Sequence, residues 1–279
     1  DRIAGPGNLT VFMLESGSHG TLCASAISAQ GVVDEGKVLG MAPNATISSI
    51  GNHYSGGHSL DAWRFIAEGY DGDPNTPDQP HMGSFSFGYS SVDDSGADGY
   101  SLYLDWITRV YNSNASYSVA IGNGGHGFGT TKVPGAAHGV FSVGAFSSRS
   151  SDSWGQSAPW SNRGPNVVGR MDPDLVAVGW SATGDMPLNN YDNANDAWTT
   201  WGGTSLATPV VAGLLALVEE AWQKNLGHHP QSQELRDFVL STSDDRGYEP
   251  FVQGGGWMNA SRAVRTLEGE NGTWSASPS

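Results

Sequence analysis

An α/β fold, a mostly parallel β-sheet with helices on both faces, is what the amino-acid sequence predicts, and three observations predict it. Short apolar runs recur along the chain, helical patterns separate them, and 39 glycines among 279 residues mark the joints. Strands that alternate with helices imply parallel pairing, because consecutive parallel strands need a long crossover. Charged residues make up only 15% of the chain, which together with the glycine content describes a loop-rich folded protein and not a disordered one.

The first run, Leu9 to Leu14, is nearly continuous in apolar residues, the mark of a strand buried on both faces. A helical pattern follows from His19 to Ala29, then a strand-like run from Ala45 to Ile50 and a helix from Ser59 to Glu68. Ser84 to Phe87 reads as a strand and Ser101 to Asn112 as a helix, with further strands at Ser118 to Ile121, Val140 to Val143 and Leu175 to Val178. Helical periodicity returns at Ser205 to Lys224, Ser232 to Leu240 and Ala260 to Leu267. Residues 1–267 form one domain on this reading, and Glu268 to Ser279 is polar and aperiodic, a tail or linker.

Composition excludes several functions. The formal charge is −15, from 13 basic and 28 acidic residues, and no Lys/Arg cluster exists to follow a phosphate backbone, so nucleic acid and anionic membrane surfaces are not expected as partners. The longest apolar stretch, Pro209 to Val218, falls short of the roughly 20 residues of a membrane span. No signal-peptide pattern opens the chain, which reads as a mature or processed product. One cysteine, Cys23, excludes an intrachain disulfide and a thiolate zinc cluster, and reads as a small buried hydrophobe. Sequons at Asn8, Asn44, Asn114, Asn259 and Asn271 fit an exported glycoprotein, extracellular or at the cell surface, with chance as the competing account in a chain rich in Asn, Ser and Thr.

Three motifs carry chemistry. Gly203-Thr204-Ser205-Leu206-Ala207-Thr208-Pro209 places a serine at a Gly-rich entry to a small-residue helix, where the positive end of the helix dipole favours a nucleophile and a developing oxyanion; an ordinary N-cap is the alternative. Pro209 is expected in the first turn, where it costs no internal hydrogen bond. Ser18-His19-Gly20-Thr21 follows an expected strand and opens a helix, so His19 stands where open α/β sheets bind ligands and an imidazole can act as general base; a capping or core histidine is the alternative. Gly122-Asn123-Gly124 ends a strand with a carboxamide on a tight turn, a donor suited to an oxyanion, against the plainer account of a left-handed turn residue.

These stretches together resemble the subtilisin-like serine proteases. Ser18 to Thr21, Gly40-Met41-Ala42-Pro43-Asn44-Ala45, Gly122-Asn123, Trp160-Ser161-Asn162-Arg163-Gly164-Pro165 and Gly203 to Pro209 agree in order with that family's motifs, and Gly255 to Ala260 looks like its terminal helix entry. The resemblance implies a three-layer subtilisin-like fold and a serine endopeptidase acting on protein or peptide substrates. It makes Ser205 the nucleophile, His19 the general base and Asn123 the side-chain oxyanion donor. Ser86-Phe87-Gly88 would pair with an extended substrate as an added strand, and Ala120-Ile121-Gly122 would wall the primary specificity pocket. Neither cofactor nor metal is implied for the chemistry.

One departure concerns the triad aspartate. The family order is Asp, His, Ser, and before His19 neither Asp1 nor Glu15 matches the Asp motif. Leu9 to Leu14 resembles the strand just before the His in the pyrolysin and tripeptidyl peptidase II types, where a long insertion separates Asp from His. The expectation is a two-chain or nicked enzyme whose Asp lies on a separate upstream fragment or chain. Changing a triad Asp to Asn lowers turnover by about 10⁴, roughly 5.5 kcal/mol, so this chain alone is expected to be nearly inactive, and unstable without the Asp strand. Leu22 stands where many relatives carry a second His, and Val178-Gly179 where Pro-Gly is usual. A catalytically inactive surface or scaffold protein of the same fold is the competing reading.

Other signals are weaker. Gly122, Gly124 and Gly127 match a dinucleotide-binding fingerprint, but Phe128 to Pro134 offers no helix to hold a pyrophosphate. No Gly-x-Ser-x-Gly elbow and no His-Glu-x-x-His occurs, and His53, His58, His81, His126, His138, His228 and His229 show no ligand spacing. Asp71-Gly72-Asp73 and Asp192 to Asp196 are candidates for structural calcium, with a solvated turn as the competing account of each.

Overall fold

The structure is a computed structural model that describes residues 18–32, 36–50, 56–89, 94–148, 154–187 and 197–270. The expected strand at Leu9 to Leu14, with Glu15, lies outside these residues, as do Asn8, Asn271 and Asp192 to Asp196. A four-stranded parallel sheet forms the centre, its strands β1 (Met82–Phe85), β2 (Ser116–Ala120), β3 (Phe141–Ser147) and β4 (Leu175–Trp180) lying in chain order. Helices cover both faces. On one lie α2 (Gly56–Glu68) and α3 (Gly99–Trp106); on the other lies α4 (Thr204–Leu226), joined by α1 (His19–Ser28), α5 (Ser232–Ser241) and α7 (Ala260–Leu267).

Side-chain alternation explains the layers. Tyr117 and Val119 of β2 point to the α2–α3 face, packing with Trp63, Ile66, Leu104 and Ile107. Phe141, Val143 and Ala145 of β3 and Leu175 and Ala177 of β4 point the other way, onto Val211, Leu214, Leu215 and Val218 of α4. Both sets are buried, so the strands read as continuous apolar runs. At 23 residues α4 is long and apolar enough to cross a membrane, but 72% of that window is buried here as a core helix.

Apart from Leu9 to Leu14, the expected elements return with shifted ends except for two that differ in kind, and a hairpin and a short helix are additional. Ala45 to Ile50 is not a strand: it pairs with no strand among the described residues, and Ile47 and Ile50 are 40% and 37% exposed. Without a neighbouring strand among the described residues, an apolar run makes no ladder there. The expected helix Ser101 to Asn112 stops being α-helical at Trp106 and widens into a π-turn, Ile107–Tyr111. There Thr108 Oγ1 donates to the Leu104 carbonyl at 3.0 Å, a back-bond that competes with the helical ladder. An antiparallel hairpin of β5 (Ala182–Asp185) and β6 (Trp198–Trp201) was not expected, since two four-residue strands rich in Thr and Gly carry too little alternation to read. The short α6 (Pro250–Gln253) is likewise additional.

Candidate active site

The carboxyl ends of β1 and β2 and the N-terminus of α4 meet at one place, and the residues the sequence singles out are distributed around it. Ser205 is the second residue of α4, so its N–H is one of the four that no carbonyl of the helix accepts. The N-cap, Gly203, has φ +141°, a conformation that excludes most side chains. Thr204 N–H and Thr204 Oγ1–H donate to Asn123 Oδ1 at 2.8 and 2.9 Å. With its oxygen held, the carboxamide presents Nδ2 to the helix start. A Cβ placed on Gly203 would stand 3.4 Å from Asn123 Nδ2, 3.4 Å from Ser205 N and 3.5 Å from Ser205 Cβ. The missing side chain leaves a hollow with two N–H donors on its walls and the serine at its rim.

Asn123 is not a left-handed turn residue; the positive φ falls on Gly122, at +110°. The turn is fixed from below by Asn162, which is fully buried. Asn162 Nδ2 donates to the Ile121 carbonyl at 3.0 Å, its Oδ1 accepts Gly124 N–H at 2.5 Å, and its N–H donates to the Gly122 carbonyl at 3.0 Å. A Cβ on Gly122 would collide with that amide, so the glycine is needed for the close approach. Gly122 N–H donates in turn to Thr204 Oγ1 at 3.2 Å, which makes Thr204 the joint between strand end and helix start.

Pro209 stands differently from the sequence expectation. The helix starts at Thr204, so Pro209 is its sixth residue and removes the N–H that would bond the Ser205 carbonyl. Two side chains replace it: Ser86 Oγ–H donates to that carbonyl at 2.8 Å and Cys23 Sγ at 3.6 Å. Ser205 Oγ donates back to the Ser86 carbonyl at 3.2 Å, so the two serines exchange hydrogen bonds. Cys23 is therefore not a plain core filler, since it is only half-buried and its sulfur also lies 3.8 Å from His19 Nδ1. His19 opens α1, exposed, in a T-shaped pair with Trp201 of β6, ring centroids 6.0 Å apart. Among the described residues, the Ser205 hydroxyl is bonded to Ser86 and not to His19.

Of the expected substrate-binding positions, Ser86 and Phe87 are half-buried and Gly88 is exposed at the end of β1. Ala120 and Ile121 are 4% and 0% exposed, and the Ile121 carbonyl is taken by Lys132 N–H and Asn162 Nδ2. Those two stand beneath the surface, leaving Gly122 as the accessible part of that wall. No helix follows Gly127, consistent with rejecting a dinucleotide site there. In the Asp71–Asp73 loop the carboxylates accept the loop's own donors: Asp71 Oδ1 takes Asp73 N–H and Asp73 Oδ1 takes Asn75 N–H, at 2.8 and 2.9 Å, which is the turn account. Asn259 caps α7, its Oδ1 accepting Arg262 N–H and its Nδ2 donating to Asp244 at 2.9 Å.

A parallel sheet covered by helices on both faces, with a serine at a helix N-terminus and a side-chain carboxamide meeting at the sheet's carboxyl edge, places the chain among the three-layer α/β proteins. The chain belongs to the Subtilase family, whose model matches residues 6–257. Serine protease AprX of Bacillus subtilis is 26% identical over 263 residues, covering 90% of this chain and 58% of its own length. Tripeptidyl-peptidase 2 of Caenorhabditis elegans, one of the types the sequence resembles, is 27% identical over 95% of this chain, which spans 19% of that protein. The solved structure of the patellamide maturation protease PatA is 26% identical with a TM-score of 0.64, covering 98% of this chain and 94% of that one. The chain thus spans little more than half of AprX and a small part of the larger relative.

Proposed function

We propose that this chain is the His- and Ser-bearing part of a subtilisin-like serine endopeptidase acting on proteins or peptides, with the triad Asp supplied by a separate upstream fragment or chain. The observation that carries it is the convergence of Asn123 Nδ2 and Ser205 N on the hollow over Gly203. On this reading Ser205 Oγ attacks the scissile carbonyl while His19 takes the hydroxyl proton, and the oxygen that becomes negative enters the hollow. The C–N bond then breaks as His19 returns the proton to the leaving amine, and water repeats the sequence on the acyl-serine. Substrate backbone would lie along Ser86 to Gly88 as an added strand, taking the Ser86 carbonyl from the Ser205 hydroxyl and so releasing the nucleophile toward His19. These steps use the chain's own groups and call for no cofactor; calcium, if bound, would serve structure.

Export belongs to the same proposal. The exposed sequons Asn44 and Asn114 are its acceptors, whereas Asn259 has its amide nitrogen engaged by the Asp244 carboxylate and its oxygen in a helix cap. An inactive scaffold is the second reading, favoured by the resting Ser205–Ser86 bond. The two separate on treating native material with a fluorophosphonate, which acylates an activated serine, followed by denaturing intact-mass spectrometry. One adduct on Ser205, with a co-purifying Asp-bearing peptide, supports the two-chain protease. No adduct although an Asp-bearing peptide co-purifies, or neither adduct nor second peptide in material taken directly from its source, overturns it in favour of the scaffold.

A further inference from the structure

The histidines show no ligand spacing along the chain, yet the fold brings two of them to one acidic side chain. His81 immediately precedes β1, Glu219 lies in the fifth turn of α4, and His229 follows the helix's left-handed C-cap, Gly227. One ligand atom from each falls within 4.8 Å of the other two. His229 Nδ1 is 2.9 Å from Glu219 Oε1, and the two imidazoles lie 20° from parallel with centroids 5.1 Å apart. The His229 carbonyl is engaged by His228 Nδ1 at 3.0 Å, which ties down the loop. At metal–nitrogen and metal–oxygen bonds of about 2.0–2.2 Å, ligand atoms on a tetrahedron stand roughly 3.3–3.5 Å apart, so a modest ring movement closes the set.

We infer that His81, Glu219 and His229 form a divalent-cation site of the zinc type, separate from the active site, with water completing the coordination. Two imidazoles and one carboxylate are the donor set that zinc takes and that calcium, which prefers six or more oxygens, does not. The Glu219 side chain is 13% exposed and the His229 side chain 39%, so the carboxylate is largely desolvated while the imidazoles stay open to an arriving ion. A ligating imidazole nitrogen carries no proton, so the cation takes the place of any proton between His229 Nδ1 and Glu219, and two positive charges meet one carboxylate in a chain of net charge −15. Glu219 lies 14 residues beyond Ser205 on the same helix, about 21 Å at 1.5 Å per residue. The ion would pin the start of β1 to the end of α4, the two elements whose other ends carry Ser86 and Ser205.

Zinc chloride titrated calorimetrically into the full chain tests this, in a Cys23→Ala background that removes the thiol beside His19 as a rival ligand. One equivalent is expected to bind, weakened at least tenfold by His81→Ala, by His229→Ala and by Glu219→Gln, and undisturbed by excess calcium. Both histidines are exposed, so their replacement leaves the metal-free melting temperature in place, and zinc raises the midpoint of the parent but not of the histidine variants. An unchanged equivalent of zinc in His81→Ala and His229→Ala, or no binding by the parent, overturns the site.

Discussion

Thr204 fixes the direction of the Asn123 carboxamide by donating twice to its oxygen, and this one contact decides which atom faces the hollow. Two substitutions separate presence from aim. Asn123→Leu removes the donor and is expected to lower kcat by about 10² to 10³ with little change in KM, since the contact forms with the developing oxyanion. Thr204→Val removes the hydroxyl bond and leaves the backbone N–H bond, so the carboxamide stays but its aim loosens, and a smaller loss, about tenfold, is expected. Steady-state rates of the native material on a peptide substrate check both; equal losses would mean that Thr204 does more than aim Asn123. This part of the site was legible in the sequence because Gly203 to Pro209 and Gly122 to Gly124 are compact local signals. Asn162 was not, because its role as clamp depends on its bond to Gly124, 38 positions away, and nothing in Trp160 to Pro165 announces it.

At the scale of elements, α4 begins with a helix bond missing at the Ser205 carbonyl. Pro209 cannot supply it, and Ser86, 119 positions earlier in the chain, does so from the end of β1. Strand and helix are thereby coupled at the site. Ser86→Ala is expected to cost about 1–2 kcal/mol of stability by leaving that carbonyl poorly paired. In a Pro209→Ala background the backbone N–H of residue 209 can take over, and the cost of Ser86→Ala should shrink toward zero. Urea denaturation of the four proteins of this cycle reads the coupling, and strict additivity would show that the proline and the serine act independently. The main strands and helices could be read from periodicity, whereas the hairpin β5–β6 and the loss of the Ala45–Ile50 strand could not. Whether a short run pairs depends on what stands beside it, and local sequence does not hold that information.

For the molecule as a whole, the polar seam at the start of β4 sets a pH dependence. Asp172 is fully buried, neither carboxylate oxygen accepts a hydrogen bond among the described residues, and Arg170 Nη1 is 3.5 Å away. Burial pushes its carboxyl up from 3.8 to about 7, opposed by Arg170 and aided by the neighbouring Asp174 carboxylate. Because the folded value lies above the unfolded one, the folded state is penalised once Asp172 ionises. Stability from this group is therefore full below about pH 4 and lost as pH rises through about 7, a difference on the order of 4 kcal/mol. Asp172→Asn should melt higher than the parent at pH 8 and close to it at pH 4; a parent-like decline in the variant would assign the dependence to other groups. No sequence pattern gave this away, since Asp172 sits in a short polar stretch that reads as an exposed loop.

The length of α4 has a consequence for how the protein ages. Its 23 residues run from the turn that holds Ser205 through the middle of the larger core, with Val211, Leu215 and Val218 at 0% exposure. Ser205 therefore rides on an element whose backbone amides should be among the last to exchange with deuterium, and not on a loop that opens by itself. Heat should then abolish labelling of Ser205 only when the whole chain lets go, so the loss of the reactive serine and the loss of near-ultraviolet circular dichroism should share one rate.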